Sequence, residues 1–206
     1  MTFKINKCVC CNSEVETILN LGEQPLANNL SENITDSYES YELKLNLCFS
    51  CYHGQLSLAV DPKKLYENYL YVSGTSQTLH REFKRMASFL CEKININNPK
   101  VLDIASNDGT FLKYFKNLGC EVVGIEPAKN IAKIANNNSI KTINCFFGTN
   151  ESRVLLKENK FNLITAFNVL AHIPNPLTFI EQISDSLESD GIACIQTSQK
   201  NMFYNG

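Results

Sequence analysis

Two groups of residues with chemistry in them lie far apart in this chain. Near the start, KCVCCN puts Cys8, Cys10 and Cys11 within four positions, and LCFSC puts Cys48 and Cys51 at the C-x-x-C spacing that Cys8 and Cys11 share. Thiols so clustered can bind a metal, pair as disulfides, act as nucleophiles or pack as small hydrophobes. Further along, Asp103 interrupts the apolar run VLDIA, and Glu126 ends EVVGIE 23 positions later. A carboxylate inside an apolar strand is costly unless paired, so Asp103 is expected to be hydrogen-bonded to loop backbone or to a ligand. An acid at the tip of a second strand can accept hydrogen bonds from both hydroxyls of a ribose. Between the two acids, Ala105 and Ser106 are small enough for a ligand to approach the backbone. Gly109 opens a helix whose free N–H groups face the same place.

Composition narrows the setting. The 206 residues are 44% hydrophobic and 19% charged, with a net charge of −2, enough for a core and without the basic footprint of a nucleic-acid binder. There is no apolar run of membrane-spanning length, and MTFKINKC lacks the apolar segment of a signal peptide. A cytoplasmic protein with reduced thiols is expected, and an odd count of nine cysteines argues against a complete disulfide set.

The elements that must hold these residues fall into three stretches. Residues 1–60 show turn signals at Gly22, Pro25 and Asn28–Asn29 and short β-like runs, YELKLNLC and GQLSLAV, and are expected to form a small β-rich module. Residues 61–98 predict a helical connector, with one helix in DPKKLYENYL and a second from about Ser76 to Ile94, separated by YVSGTS. From residue 99 onward strands alternate with amphipathic helices. KVLDIAS, EVVGIEP, KTINCFF, FNLITAFNVL and GIACIQTS predict strands; GTFLKYFKNLG, AKNIAKIANNNS, ESRVLLKENK and NPLTFIEQISDSLESDG predict helices. That alternation implies an α/β fold with a parallel, doubly wound sheet. Its loop A-S-N-D-G-T lacks the G-x-G-x-x-G of dinucleotide-binding domains.

The loop from Asp103 to Gly109, the acid Glu126 and the segment FNVLAHIP together resemble the class I S-adenosylmethionine (SAM) methyltransferases. The resemblance implies that the amino-acid end of SAM lies over Ala105, Ser106, Asn107, Asp108 and Gly109, that Glu126 holds the ribose, and that Asn168 faces the methyl donor. Across residues 8 to about 200 the chain further resembles the sugar C-methyltransferases with an N-terminal zinc-binding domain. The matching text is C-V-C-C, LGEQPLANN, L-C-F-S-C, DPKKLYENYLYVSGTS, VLDIASNDGTFL and FNVLAHIPNP. This resemblance implies one structural Zn²⁺ on Cys8, Cys11, Cys48 and Cys51, a thiolate set suited to a closed tetrahedral site. Cys10 is then spare, because ligands at adjacent positions 10 and 11 would strain the bite. His53 is a substitute ligand only in principle.

The same resemblance implies a substrate and a reaction. The substrate is a nucleotide-linked 4-keto-deoxysugar, whose ketone acidifies the neighbouring C–H; a base removes that proton and the enolate carbon takes the methyl group from SAM. By match to the family, Tyr69 or Tyr71 lies near the sugar, with a packed aromatic on a helix face as the alternative. His172 either reaches the cleft or is a structural histidine. The family's favoured base lies in a segment beyond Gly206, so the chain is expected to be either a fragment or a naturally truncated form, with five of the seven strands and without the main base for turnover. Where the family often has Gly in the first loop, this chain has Ala105, which is acceptable if its φ is negative. Two other classes compete: a non-catalytic module that binds zinc and SAM, and a small-molecule O- or N-methyltransferase.

Overall fold

A computed structural model describes residues 2–27, 33, 37–67 and 69–197, so the expectations at Asn28–Asn29 and NMFYNG lie outside the described residues. The chain forms two compact units, one of Met1–Leu70 with Pro174–Leu177 and one of Tyr71–Ile173 with Thr178–Gly206.

The first unit is built from short antiparallel strands. Strands β1 (Phe3–Lys4) and β5 (Leu58–Ala59) pair, and β2 (Glu16–Pro25), β3 (Ser40–Leu47) and β4 (Gly54–Leu56) form a three-stranded sheet in that order. Gly22 does not end a strand, as its type suggests, but lies inside β2, whose last residue is Pro25. The register slips between Asn20 and Glu23, and Gly22 takes φ +71° at that irregularity, a bulge that only a residue tolerant of the left-handed region accepts cheaply. The first connector helix is shorter than its sequence implies. Helix α1 (Pro62–Tyr66) begins with Asp61 accepting from the Lys63 N–H and Pro at its first position, and stops after five residues.

The second unit has three layers around a five-stranded parallel sheet. Helix α2 (Gln77–Ile94) is capped by Ser76, whose hydroxyl accepts from the Leu79 N–H, and is stopped by Asn95 in the left-handed region. Then follow β6 (Lys100–Ile104), α3 (Thr110–Asn117), β7 (Glu121–Ile125), α4 (Lys129–Asn137), β8 (Thr142–Ile143), α5 (Asn150–Leu156), β9 (Phe161–Phe167), α6 (Pro176–Ser186) and β10 (Leu187–Gln196). The strand order is β10-β9-β6-β7-β8, so the chain starts at the centre, runs to one edge and returns to the other side of β6. Alternation along β6 divides the core. Leu102 and Ile104 pack with Phe179 and Ile183 on the α5–α6 face, while Val101 packs with Leu90, Phe111, Phe115 and Leu163 on the α2–α3 face. Each large side chain buried there contributes about 1.5–3 kcal/mol.

Two elements differ from their sequence-based expectation. The strand expected over KTINCFF is only Thr142–Ile143, an edge strand bonded to one neighbour. The helix expected through Gly191 ends at Ser186, and Leu187 becomes the first residue of β10, paired with Phe161 and packed on the core. Leu187 lies four residues after Ile183, which suits a helix face, but burial in strand register against β9 outweighs local periodicity. Among the described residues no helix is long and apolar enough to cross a membrane.

Candidate functional site

The cysteines form two matching turns. In the first, Asn12 N–H donates to Cys8 O at 2.9 Å and Cys8 N–H to Ser13 O at 2.8 Å; in the second, Tyr52 N–H donates to Cys48 O at 2.8 Å and Cys48 N–H to His53 O at 2.9 Å. The residue after each second cysteine, Asn12 and Tyr52, has φ +60°. This repeated turn brings four thiols together: Cys8 Sγ lies 3.5 Å from Cys51 Sγ, and Cys11 Sγ lies 3.5 Å from Cys48 Sγ. All four ligand atoms lie within 4.8 Å of one another. Four sulfurs around a tetrahedral zinc at about 2.3 Å would be about 3.8 Å apart, so the donor set and its spacing fit that ion. Cys10 occupies the turn position that Ser50 holds in the second turn. It is exposed and outside the cluster, and His53 contributes its backbone carbonyl to the second turn. Gln55 fastens the first turn: its amide oxygen accepts from Val9 N–H and its amide nitrogen donates to Lys7 O, both at 2.9 Å. Its signal in the sequence is only that of a polar residue inside the short strand GQL.

In the second unit, the loops after β6, β7 and β9 all emerge at the carboxyl edge of the parallel sheet, beside the point where strand order reverses. Asp103 bonds to the neighbouring strand and not, among the described residues, to the loop. Register sets it opposite Thr165 of β9, whose hydroxyl donates to Asp103 Oδ1 at 2.6 Å. Burial pushes the Asp103 carboxyl up to about 7, against the Thr165 hydrogen bond and with help from the nearby charge of Glu126. Thr165 has no local sequence signal, because its role depends on pairing between distant strands.

Glu126 is also buried, and both its oxygens are in use. Oε2 accepts from the Asn107 N–H at 2.9 Å and Oε1 from the Ala128 N–H at 2.8 Å. Burial raises its carboxyl above the ordinary range, opposed by those two backbone donors. An ionised carboxylate has about four acceptor positions, so capacity remains for two more hydroxyl donors on a carboxylate already fixed in place.

The first loop is tightly wound. Ala105 has φ +55°, Asn107 +51° and Gly109 +78°, so the condition set for alanine in the first loop, a negative φ, is not met. Ser106 N–H donates to Ile125 O and Asn107 N–H to Glu126, and meeting both bonds turns Ala105 into the left-handed region despite its Cβ. The Ser106 side chain is buried, its hydroxyl has no protein partner among the described residues, and a Cβ added to Gly124 would meet it at 2.3 Å. Gly124 is therefore glycine because Ser106 fills that space. The side chains of Asn107 and Asp108 bond to the segment before α2. Asn107 Oδ1 accepts from Ser73 N–H at 2.8 Å, Asn107 Nδ2 donates to Tyr71 O at 3.0 Å, and Asp108 Oδ2 accepts from Gly74 N–H at 3.0 Å.

Of the remaining candidates, Asn168 directly follows β9 with φ +57° and an exposed side chain, its N–H donating to Gln196 O. His172 is exposed and ends the short 3₁₀ turn Leu170–His172. Tyr69 and Tyr71 lie on no helix, since α1 ends at Tyr66. Tyr69 sits edge-on to Tyr66 with ring centroids 6.0 Å apart, and Tyr71 is exposed. They fall in different units, Tyr69 in the first and Tyr71 in the second.

Residues 74–205 match a family described as "Methyltransferase domain", and residues 8–66 match one described as "Putative zinc binding domain". The chain belongs to the methyltransferase-domain family. It is 25% identical over 197 residues to the C-methyltransferase NovU of Streptomyces niveus, covering 93% of this chain and 47% of that protein. It is 24% identical over 132 residues to a ubiquinone biosynthesis O-methyltransferase of Hydrogenovibrio crunogenus, covering 63% and 55%. The chain thus spans about half the length of these curated relatives. Among solved structures, the PH0226 protein of Pyrococcus horikoshii OT3 shares the fold with a TM-score of 0.55 and 17% identity, over 65% of this chain and 61% of that one. Family and fold together describe a zinc-binding domain joined to a class I SAM-dependent methyltransferase domain.

Proposed function

We propose that this chain carries the donor-binding part of a C-methyltransferase whose acceptor is a nucleotide-linked 4-keto-deoxysugar. The observation that carries the choice of carbon is the extent of similarity. The match to a C-methyltransferase runs through both the cysteine module and the parallel-sheet domain, whereas the O-methyltransferase match covers 63% of the chain.

Bound SAM supplies a methyl group on a sulfonium, which an enolate carbon can take directly. The residues of this chain bind and orient. Glu126, held by two backbone donors, is positioned to accept from the ribose hydroxyls. The backbone of Ala105–Gly109 offers close approach to the amino-acid end. Asn168, just after β9, is the candidate to face the methyl group and acceptor. Tyr71 or Tyr69 is a candidate donor to the keto oxygen, and His172 a candidate proton carrier. Cys8, Cys11, Cys48 and Cys51 hold zinc as a structural ion, four thiolates leaving no open coordination position for substrate.

The test has two steps. Calorimetry with SAM should show saturable binding that is weakened in Glu126→Ala; no binding by freshly prepared protein removes the donor-site reading. Mass spectrometry after incubation with a nucleotide-linked 4-keto-deoxysugar then locates any transferred methyl. A methyl group on oxygen or nitrogen would replace the C-methylation reading with that of a small-molecule O- or N-methyltransferase.

A further inference from the structure

The segment Tyr71–Ser76, between the two compact units in sequence but part of the second, is bound to the first loop of the sheet by the side chains of that loop. Three hydrogen bonds from Asn107 and Asp108 reach the backbone of Tyr71, Ser73 and Gly74. The segment turns through a 3₁₀ helix, Ser73–Thr75, before Ser76 caps α2. From α2, His80 reaches back to the same place: its Nε2 is 3.0 Å from Gly74 O and its Nδ1 is 2.9 Å from the Tyr114 hydroxyl on α3. A carbonyl only accepts, so Nε2 carries the hydrogen, and in the neutral ring Nδ1 accepts from Tyr114. Gly74 is thus held at both backbone atoms, its N–H by Asp108 and its carbonyl by His80. No side chain fits there: a Cβ at Gly74 would meet Asp108 Oδ2 at 2.4 Å and Thr110 Oγ1 at 2.8 Å.

The loop needs such support. Three of its five residues from Ala105 to Gly109 have positive φ, and one of them is alanine, a conformation that persists only when surrounding bonds impose it. Glu126 imposes it from the sheet side through the Asn107 N–H. The Tyr71–Ser76 segment imposes it from the other side through the Asn107 and Asp108 side chains.

We infer that His80 is a positioning residue for the methyl-donor site: by holding the Gly74 carbonyl it locks the Tyr71–Ser76 strap onto Asn107 and Asp108, and so keeps the donor loop in its binding conformation. The inference rests on the donor-site reading above. It also assigns the Asn107 and Asp108 side chains to the strap, leaving the loop backbone and Glu126 to meet the donor.

The experiment compares wild type, His80→Leu, His80→Gln and Gly74→Ala by amide hydrogen exchange without ligand and by calorimetry with SAM. His80→Leu removes both bonds at similar bulk and should speed exchange at Ser73 and Gly74 and weaken SAM about tenfold, the scale of one or two lost hydrogen bonds. His80→Gln can restore a donor to the Gly74 carbonyl and should recover most of both losses, which a merely space-filling role would not produce. Gly74→Ala drives a methyl group into Asp108 and should release the strap with His80 intact, giving the same pair of effects. If His80→Leu does not fold, the Gly74→Ala and His80→Gln results decide. Wild type that binds SAM, with either strap-releasing variant binding it equally well, overturns the positioning role alone. Faster exchange in His80→Leu that His80→Gln fails to slow also overturns it. Wild type that fails to bind SAM overturns the donor-site reading and this role with it.

Discussion

In the first unit, Cys8, Cys48 and Ala59 are the buried apolar side chains among the described residues, and all ten residues of β2 are exposed. In the second, two clusters of buried side chains line both faces of a five-stranded sheet. Both units contain buried polar groups, but they use them differently. The first gathers thiols around a point where a cation can replace a core, while the second surrounds its carboxylates with hydrophobic packing and pairs them one by one. The lesson is that small size moves the stabilising role from apolar area to ligand bonds, and that the same change separates where the chain is held together from where it can do chemistry.

The comparison breaks most visibly if the metal is removed. Chelation, or Cys48→Ser, should abolish the dispersed NMR signals of residues in the first unit while those of the parallel sheet persist. Bound structural zinc is worth about 10–16 kcal/mol in small modules, far more than this unit buries in apolar contacts. Metal analysis of unchelated protein should find about one zinc per chain, with Cys10→Ser unchanged. Retained zinc and dispersion in Cys48→Ser would remove the distinction between the units.

Next in size is Glu126→Ala, which leaves the Asn107 and Ala128 amides without their acceptor and removes the proposed ribose partner. Hydrogen bonds to a charged group contribute about 1.5–3 kcal/mol each, so SAM affinity should fall by at least about a hundredfold in calorimetry, with zinc content untouched. A parallel loss of zinc would mean that the two units are not independent.

Asp103 sharpens the contrast through pH. Its carboxyl is raised from 3.8 to about 7 in the folded chain, so between those values the folded state holds a proton that the unfolded state releases. Stability should therefore be greatest on the acid side of this window and fall as pH rises, by up to about 1.4 kcal/mol per unit, levelling above about 7. Glu126, also raised, adds a slope of the same sign. Urea denaturation of the second unit from pH 5 to 8 should show this slope, and Asp103→Asn should flatten it. An unchanged slope would mean that Asp103 is not the group responsible.

The smallest expected effect is at Ala105. Its left-handed conformation costs about 1–2 kcal/mol for a residue with a Cβ, and glycine returns part of that gain as unfolded-state entropy. Ala105→Gly should raise the urea midpoint of the second unit by the equivalent of about 1 kcal/mol or less. A lowered midpoint would show that the Cβ is packed usefully.

Features set by neighbouring residues were legible in the sequence, and features set by distant pairing were not. The C-x-x-C spacing identifies both cysteine turns because each is closed by its own backbone bonds. The Ser76 cap and the apolar positions of α2 mark that helix within one residue of its start. By contrast, Leu187 satisfies a helix pattern and becomes a strand only because Phe161 lies beside it. Thr165 is one strand threonine among others until register places it against Asp103. Asn107 and Asp108 look like ligand contacts because their partners, the amides of Ser73 and Gly74, lie 34 positions earlier. The positive φ of Ala105 follows from bonds to Ile125 and Glu126, which its own side chain does not reveal.

The bond between Asp103 and Thr165 also orders events while the chain is being made. Its two ends are 62 positions apart, and closing a flexible loop of that length costs roughly 4 kcal/mol from the logarithmic dependence on length. Both cysteine turns are complete in the chain by His53, so the four thiols are available for an ion before β6 is made. When β6, α3 and β7 emerge, the centre of the sheet is still an open edge, and the Asp103 carboxylate faces water in its ionised form. Docking of β9 expels that water and raises the carboxyl toward neutrality. The bond therefore forms in the step that buries the Asp103 carboxyl and raises it, so completion of the sheet is expected to be favoured on the acid side of that window.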